Sequence, residues 1–139
     1  MVLLAELLIE SRVEEIARAR EWLSERTREE GFEYKDVSNI GLAMSEACAN
    51  VIKHAYGEQP GNVIKLRLAI DARSLILSIY DQGEKYNPES YAPPDLSKPQ
   101  DGGYGVFLIR NLMDEVHYDS SSGRGTTLTL VKHRSSPQD

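Results

Sequence analysis

Residues 36–56 read Asp36-Val-Ser-Asn-Ile-Gly-Leu-Ala-Met-Ser-Glu46-Ala-Cys-Ala-Asn50-Val-Ile-Lys-His-Ala-Tyr56. Ile40, Met44, Ala47, Cys48, Val51 and Ala55 recur at steps of three and four, which predicts a single helix with a core-facing stripe. Glu46, Asn50 and Lys53 fall on a second stripe, because residues three and four apart are neighbours on a helix surface; His54 lies beside it. A carboxylate, an amide and an ammonium thus share one face. The simplest meaning of such a face is solvation. The same three groups are also what is needed to hold a magnesium–phosphate tail and to take a proton beside it.

The bulk composition narrows the choice. At 139 residues the chain fits one domain, and 40% hydrophobic content is enough to build a core for it. A net charge of −6 argues against a general nucleic-acid binder, which would present a basic surface. The single cysteine excludes an internal disulfide and a cysteine-based zinc site, and Cys48 on the apolar stripe reads as a small buried hydrophobe. No apolar run approaches the roughly 20 residues of a membrane span. The opening segment, residues 2–9, is interrupted by Glu6 and lacks a basic start, so it does not read as a signal peptide. A cytoplasmic protein is expected.

Outward from the central helix, residues 2–9 fit strand or helix, and a strand is favoured because Ser11 looks like a helix cap directly after it. Ser11 and Glu14 have the spacing of a capping box, opening a helix that runs to about Glu30 and stops at Gly31. Its many charges most simply form a solvated face, with a partner-binding face as the alternative. Asp36 or Ser38 would cap the central helix. Val63, Lys65, Arg67 and Ala69 alternate with Ile64, Leu66, Leu68 and Ile70, and Leu75, Leu77 and Ile79 alternate with Ser74, Ser78 and Tyr80. Those two period-two runs around Asp71-Ala-Arg73 predict a hairpin. Residues 84–103 carry four of the six prolines and read as a long functional or mobile loop. A short apolar helix over 106–113, a strand from Glu115 and a last strand over 126–132 follow, with a polar tail over 134–139.

Three further pieces, each weak alone, fit one ligand. Asp81 ends a strand two residues before Gly83; a buried carboxylate there can accept a hydrogen bond from an exocyclic amine such as that of adenine and disfavours the carbonyl of guanine. Gly102-Gly-Tyr-Gly105 opens directly into a helix, where free N–H groups favour anions. It is neither a dinucleotide fingerprint nor a Walker loop, since no strand precedes it directly and no Gly-Lys-Ser/Thr ends it. Gly123-Arg-Gly-Thr-Thr127 offers two hydroxyls where a strand begins.

Taken in order, the run Glu46 to Tyr56, then Asp81-Gln-Gly83 with Tyr86 and Pro88, then the glycine-rich stretch ending at Gly105 with Phe107-Leu-Ile-Arg-Asn-Leu-Met-Asp-Glu-Val116, then Gly125-Thr-Thr-Leu-Thr-Leu resembles the GHKL (Bergerat-fold) ATPases. Within them it is most similar to the anti-sigma-factor serine kinases of bacterial stress response and sporulation. The resemblance covers residues 9–132. It implies a histidine-kinase-like ATPase domain over 1–133, an α/β (two-layer α+β) sandwich with a mixed, mainly antiparallel sheet and helices on one face. It implies ATP and Mg²⁺ as cofactors, with Asn50 as metal ligand and Glu46 as the catalytic base on an attacking hydroxyl. Asp81 would hold the adenine amine, Gly83 and Thr127 would complete the base pocket, and Gly103, Gly105 and Val106 would meet the phosphates, with Lys53 neutralising charge or pointing to solvent. The implied function is a serine/threonine protein kinase acting on a STAS-domain anti-anti-sigma partner, binding a sigma factor and assembling as a homodimer. The alternative is a nucleotide-gated binding module without useful catalysis. The chain departs from the family pattern at Glu84-Lys-Tyr86, where a second glycine cluster is usual, and at Val106-Phe107, where the lid is poor in glycine.

Overall fold

A computed structural model describes residues 2–84, 104–121 and 123–135, the side chain of Tyr104 excepted. The chain order is β1 (Leu3–Glu10), α1 (Val13–Glu29), α2 (Tyr34–Asn50), a π-helical turn (Val51–Ala55), β2 (Val63–Ile70), β3 (Ser74–Asp81), α3 (Tyr104–Leu112), β4 (Glu115–Asp119) and β5 (Thr126–His133). The five strands form one sheet in the order β1-β2-β3-β5-β4, and all four pairings are antiparallel. The mixed sheet implied by the resemblance is therefore fully antiparallel among the described strands.

Strand alternation builds the two faces. Ile64, Leu66, Leu68 and Ile70 on β2, Leu75, Leu77 and Ile79 on β3, and Leu128 and Leu130 on β5 are buried on the same side. The buried stripe of α2 (Val37, Ile40, Met44, Ala47 and Cys48) joins them in one core with Ala19 and Leu23 of α1 and Ile109 of α3. Each large aliphatic side chain buried there stabilises by about 1.5–3 kcal/mol, which makes this parity the main determinant of the fold. The opposite face stays open, with Leu4 and Leu8 exposed and Glu6 ion-paired to Arg67 (2.9 Å) and Lys65 (3.6 Å).

Several expected helix ends move. Ser11 does not cap α1: its hydroxyl donates to the Gln59 carbonyl (2.7 Å) and accepts from Asn62 N–H (3.2 Å), clamping the turn before β2. Arg12 is the residue at the helix start, and acidic Glu14 and Glu15 in the first turn complement the helix dipole instead. The second helix starts at Tyr34, two residues before Asp36, with no side-chain cap. Gly31 ends α1 as expected, at φ +83°. The core stripe of α1 is Ala19, Leu23 and Thr27, while Val13 is exposed; the Thr27 hydroxyl is satisfied by the Leu23 carbonyl (3.0 Å). Arg134, expected in the tail, belongs to the fold. Its guanidinium donates to the Glu30 (2.6 Å) and Asp71 (3.0 Å) carbonyls and lies 4.4 Å above the Phe32 ring.

Candidate nucleotide site

The parity that buries Leu75, Leu77 and Ile79 carries one residue further, so Asp81 also points to the helix side and is only 4% exposed. Gly83 N–H donates to its Oδ1 at 2.9 Å. Burial pushes the carboxyl above its ordinary value of 3.8, and hydrogen bonds from the Gly83 and Thr126 backbones oppose that rise. Thr126 is the register partner of Asp81 and is equally buried; its hydroxyl lies 3.0 Å from that of Ser120. Gly125, at φ +79°, presses β5 against Asp81: a Cβ there would overlap the Asp81 carbonyl oxygen.

Thr127 is the correction. It pairs with Tyr80 and turns to the open face, beside Lys65, Arg67 and Ser78. Side chains alternate along a strand, so a residue next to the buried Thr126 faces away from Asp81. The hydroxyl beside the buried carboxylate is that of Thr126. The signal lies in the leucines: Leu128 and Leu130 are the two leucines of β5, both buried, and counting back in twos from them reaches Thr126.

The central helix keeps α geometry through Asn50, so Glu46 and Asn50 stand one turn apart on one face, both half-buried. Beyond Asn50 the helix continues to Ala55, close to the expected end at Tyr56, but not with α geometry. Tyr56 N–H bonds to the Val51 carbonyl (3.0 Å), an i→i+5 bond, and the turn widens to a π form. Residues three apart no longer stack in such a turn. Lys53, inside this turn, is exposed and makes no hydrogen bond or ion pair with either Glu46 or Asn50. His54 is exposed as well.

The wide turn joins two halves of a site. At its start, Asn50 meets the first turn of α3: a Cβ on Gly105 would come within 2.9 Å of Asn50 Nδ2 and 3.0 Å of Oδ1. At its end, the Ala55 carbonyl accepts from Glu84 N–H (2.8 Å), and Gly83 packs so closely that a Cβ would overlap the same carbonyl. Val106 follows Gly105 in α3 and is half-buried. Gly103 and the long loop with Tyr86 and Pro88 lie outside the described residues.

Magnesium suits this donor set. It is a hard ion that takes one or two protein oxygens and completes its shell from phosphate and water. Asn50 offers one amide oxygen next to a helix N-terminus, and among the described residues no cluster of three His, Cys, Asp or Glu competes for a metal. Cys48 is inert: it is fully buried and its thiol is pushed up to about 12.

Residues 9–132 match the sequence profile of the histidine kinase-like ATPase domain. The chain belongs to that family. A serine-protein kinase RsbW of Halalkalibacterium halodurans is 37% identical, over 75% of this chain and 68% of its own length. The RsbW of Bacillus velezensis is 29% identical over 92% and 84%, and that of Bacillus subtilis 28% over 74% and 68%. A solved structure of the RsbU and RsbW domains of Rv1364c from Mycobacterium tuberculosis superposes with a TM-score of 0.66 at 22% identity. It covers 97% of this chain, and this chain spans 33% of that one. The fold of this histidine kinase-like ATPase domain is thus shared, and its serine-protein-kinase relatives support a kinase over a purely nucleotide-gated binding module. No described helix is long and apolar enough to cross a membrane.

Proposed function

We propose that this chain is a Mg·ATP-dependent serine/threonine protein kinase of the anti-sigma-factor type. What chiefly supports the reading is the π turn: one end holds Asn50 against Gly105, and the other clasps the loop of the buried Asp81. The Asp81 carboxylate accepts the adenine amine, with one oxygen already fixed by Gly83 N–H. Thr126, Gly83 and Gly125 frame it. The N-terminus of α3, with Gly103, Gly105 and Val106, receives phosphate through backbone N–H groups. Asn50 holds the magnesium ion, which when bound neutralises phosphate charge. Glu46, one turn before Asn50, takes the proton from the attacking serine or threonine hydroxyl. Lys53 contributes at most long-range charge, since it is exposed and bonded to neither Glu46 nor Asn50.

The protein substrate is a STAS-domain anti-anti-sigma partner, and a sigma factor binds the same kinase. The chain assembles as a homodimer and works in the cytoplasm, where those partners are found. Transfer of labelled γ-phosphate from ATP to a STAS-domain protein tests the activity. Glu46→Gln is expected to slow transfer about a hundredfold or more while leaving ADP affinity intact. Undiminished transfer by that variant removes Glu46 from the role of base. Nucleotide-dependent partner binding without any transfer would favour the gated module.

A further inference from the structure

Three successive backbone N–H groups after β3 are each held by a fixed acceptor. Gln82 N–H donates to the Tyr56 hydroxyl (2.8 Å), Gly83 N–H to Asp81 Oδ1 (2.9 Å), and Glu84 N–H to the Ala55 carbonyl (2.8 Å). The outer two acceptors are consecutive residues at the end of the π turn. Tyr56 does more than accept. Its hydroxyl donates to the Val63 carbonyl at 2.7 Å, so one phenol ties the Asp81 loop to the first residue of β2. Burial pushes this phenol above its ordinary value of 10.0, so it keeps the proton it donates.

The peptide unit between Asp81 and Gln82 is the joint that matters. Its N–H end is fixed by Tyr56, and its carbonyl end is packed against Gly125. A planar peptide held at both ends cannot rotate. The Asp81 side chain grows from one end of that unit, and Gly83, which orients the carboxylate, follows at the other.

We propose that Tyr56 is a positioning residue for base selection: its hydroxyl holds the Asp81–Gln82 peptide so that the Asp81 carboxylate faces the exocyclic amine of the purine. This rests on the adenine-nucleotide reading above. Tyr56 itself touches no nucleotide atom in this account. Its loss should therefore weaken recognition of the amine and leave phosphate binding and the transfer step alone.

The test compares ADP with the purine riboside diphosphate that lacks the 6-amino group, each titrated with magnesium into the full chain and its Tyr56→Phe variant. The unaltered protein should prefer ADP, and Tyr56→Phe should shrink that preference about three- to tenfold, the factor set by one misplaced hydrogen bond. The transfer rate at saturating ATP should stay the same while the KM for ATP rises. Circular dichroism and urea unfolding confirm that the variant folds. If both ligands weaken by the same factor, or the preference is unchanged, Tyr56 serves the fold alone and the proposal fails. If the unaltered protein takes up neither ligand, the nucleotide reading itself is wrong, and the proposal falls with it.

Discussion

The two faces of the sheet differ by one residue at the most informative point of the chain. Asp81 and Thr126 are buried together under the helices, whereas their neighbours Tyr80 and Thr127 stand together on the open side. The residue types are similar: a hydroxyl on each face, and polar or charged groups on both. The surroundings are not. On the covered face a carboxylate has lost water, gained two backbone donors and been pressed against Gly125. On the open face Lys65, Arg67, Ser78 and Tyr80 remain in contact with solvent. The covered face is the one able to discriminate between ligands, because an unmet hydrogen bond is costly only where water cannot replace it.

Three changes probe that contrast. The largest effect is expected from Gly125→Ala, since its Cβ would overlap the Asp81 carbonyl and the residue sits at φ +79°. Overpacking plus the left-handed conformation should lower stability by about 3 kcal/mol, read as a shift in the urea midpoint. A midpoint close to that of the unaltered protein would mean that β5 is not pressed on Asp81. Next comes the pair Thr126→Val and Thr127→Val. The first removes the hydroxyl beside Ser120 on the covered face and should lose about 1 kcal/mol of stability, with several-fold weaker ADP binding. The second lies on the open face and should stay within about 0.5 kcal/mol. Reversed effects would put the site on the wrong side of the sheet.

The smallest effect is in pH. The folded Asp81 carboxyl titrates above its ordinary value, so the folded chain holds that proton more tightly than the unfolded chain does. Its contribution to stability therefore diminishes as pH rises through the raised pKa and is restored by acid. Ligand binding runs the other way, because the amine needs the ionised acceptor. ADP affinity should fall on acidification, beginning above the usual carboxylate range, and the difference curve against Asp81→Asn should isolate that limb. A difference curve flat down to pH 4 would mean that Asp81 does not face the base.

Most of this was legible in the residues. Apolar alternation on β2 and β3 and the three-four spacing of the central helix defined the hairpin, the core and the position of Glu46 and Asn50. What failed has local causes. The capping pattern at Ser11 was overridden by a tertiary clamp to Gln59 and Asn62, which no spacing rule contains. The π turn was hidden because no spacing in its five residues, Val51–Ala55, marks it, and the bonds from Ala55 and Tyr56 to the Asp81 loop that accompany it are tertiary. Of the two readings of Lys53, phosphate neutraliser or solvent-facing, its exposure in that turn favours the second. Thr127 was a failure of counting, since strand parity with Leu128 and Leu130 selects Thr126. Tyr56 went unremarked because a tyrosine at a helix end carries no signal of what its hydroxyl will reach.

The most direct measurement is a calorimetric titration of Mg·ADP into the full chain and into Asp81→Asn. The account predicts one-to-one uptake by the unaltered protein and affinity at least about tenfold lower in the variant, as expected when a charged acceptor is lost from a buried hydrogen bond. No uptake by the unaltered protein, or equal affinity in both, would contradict it.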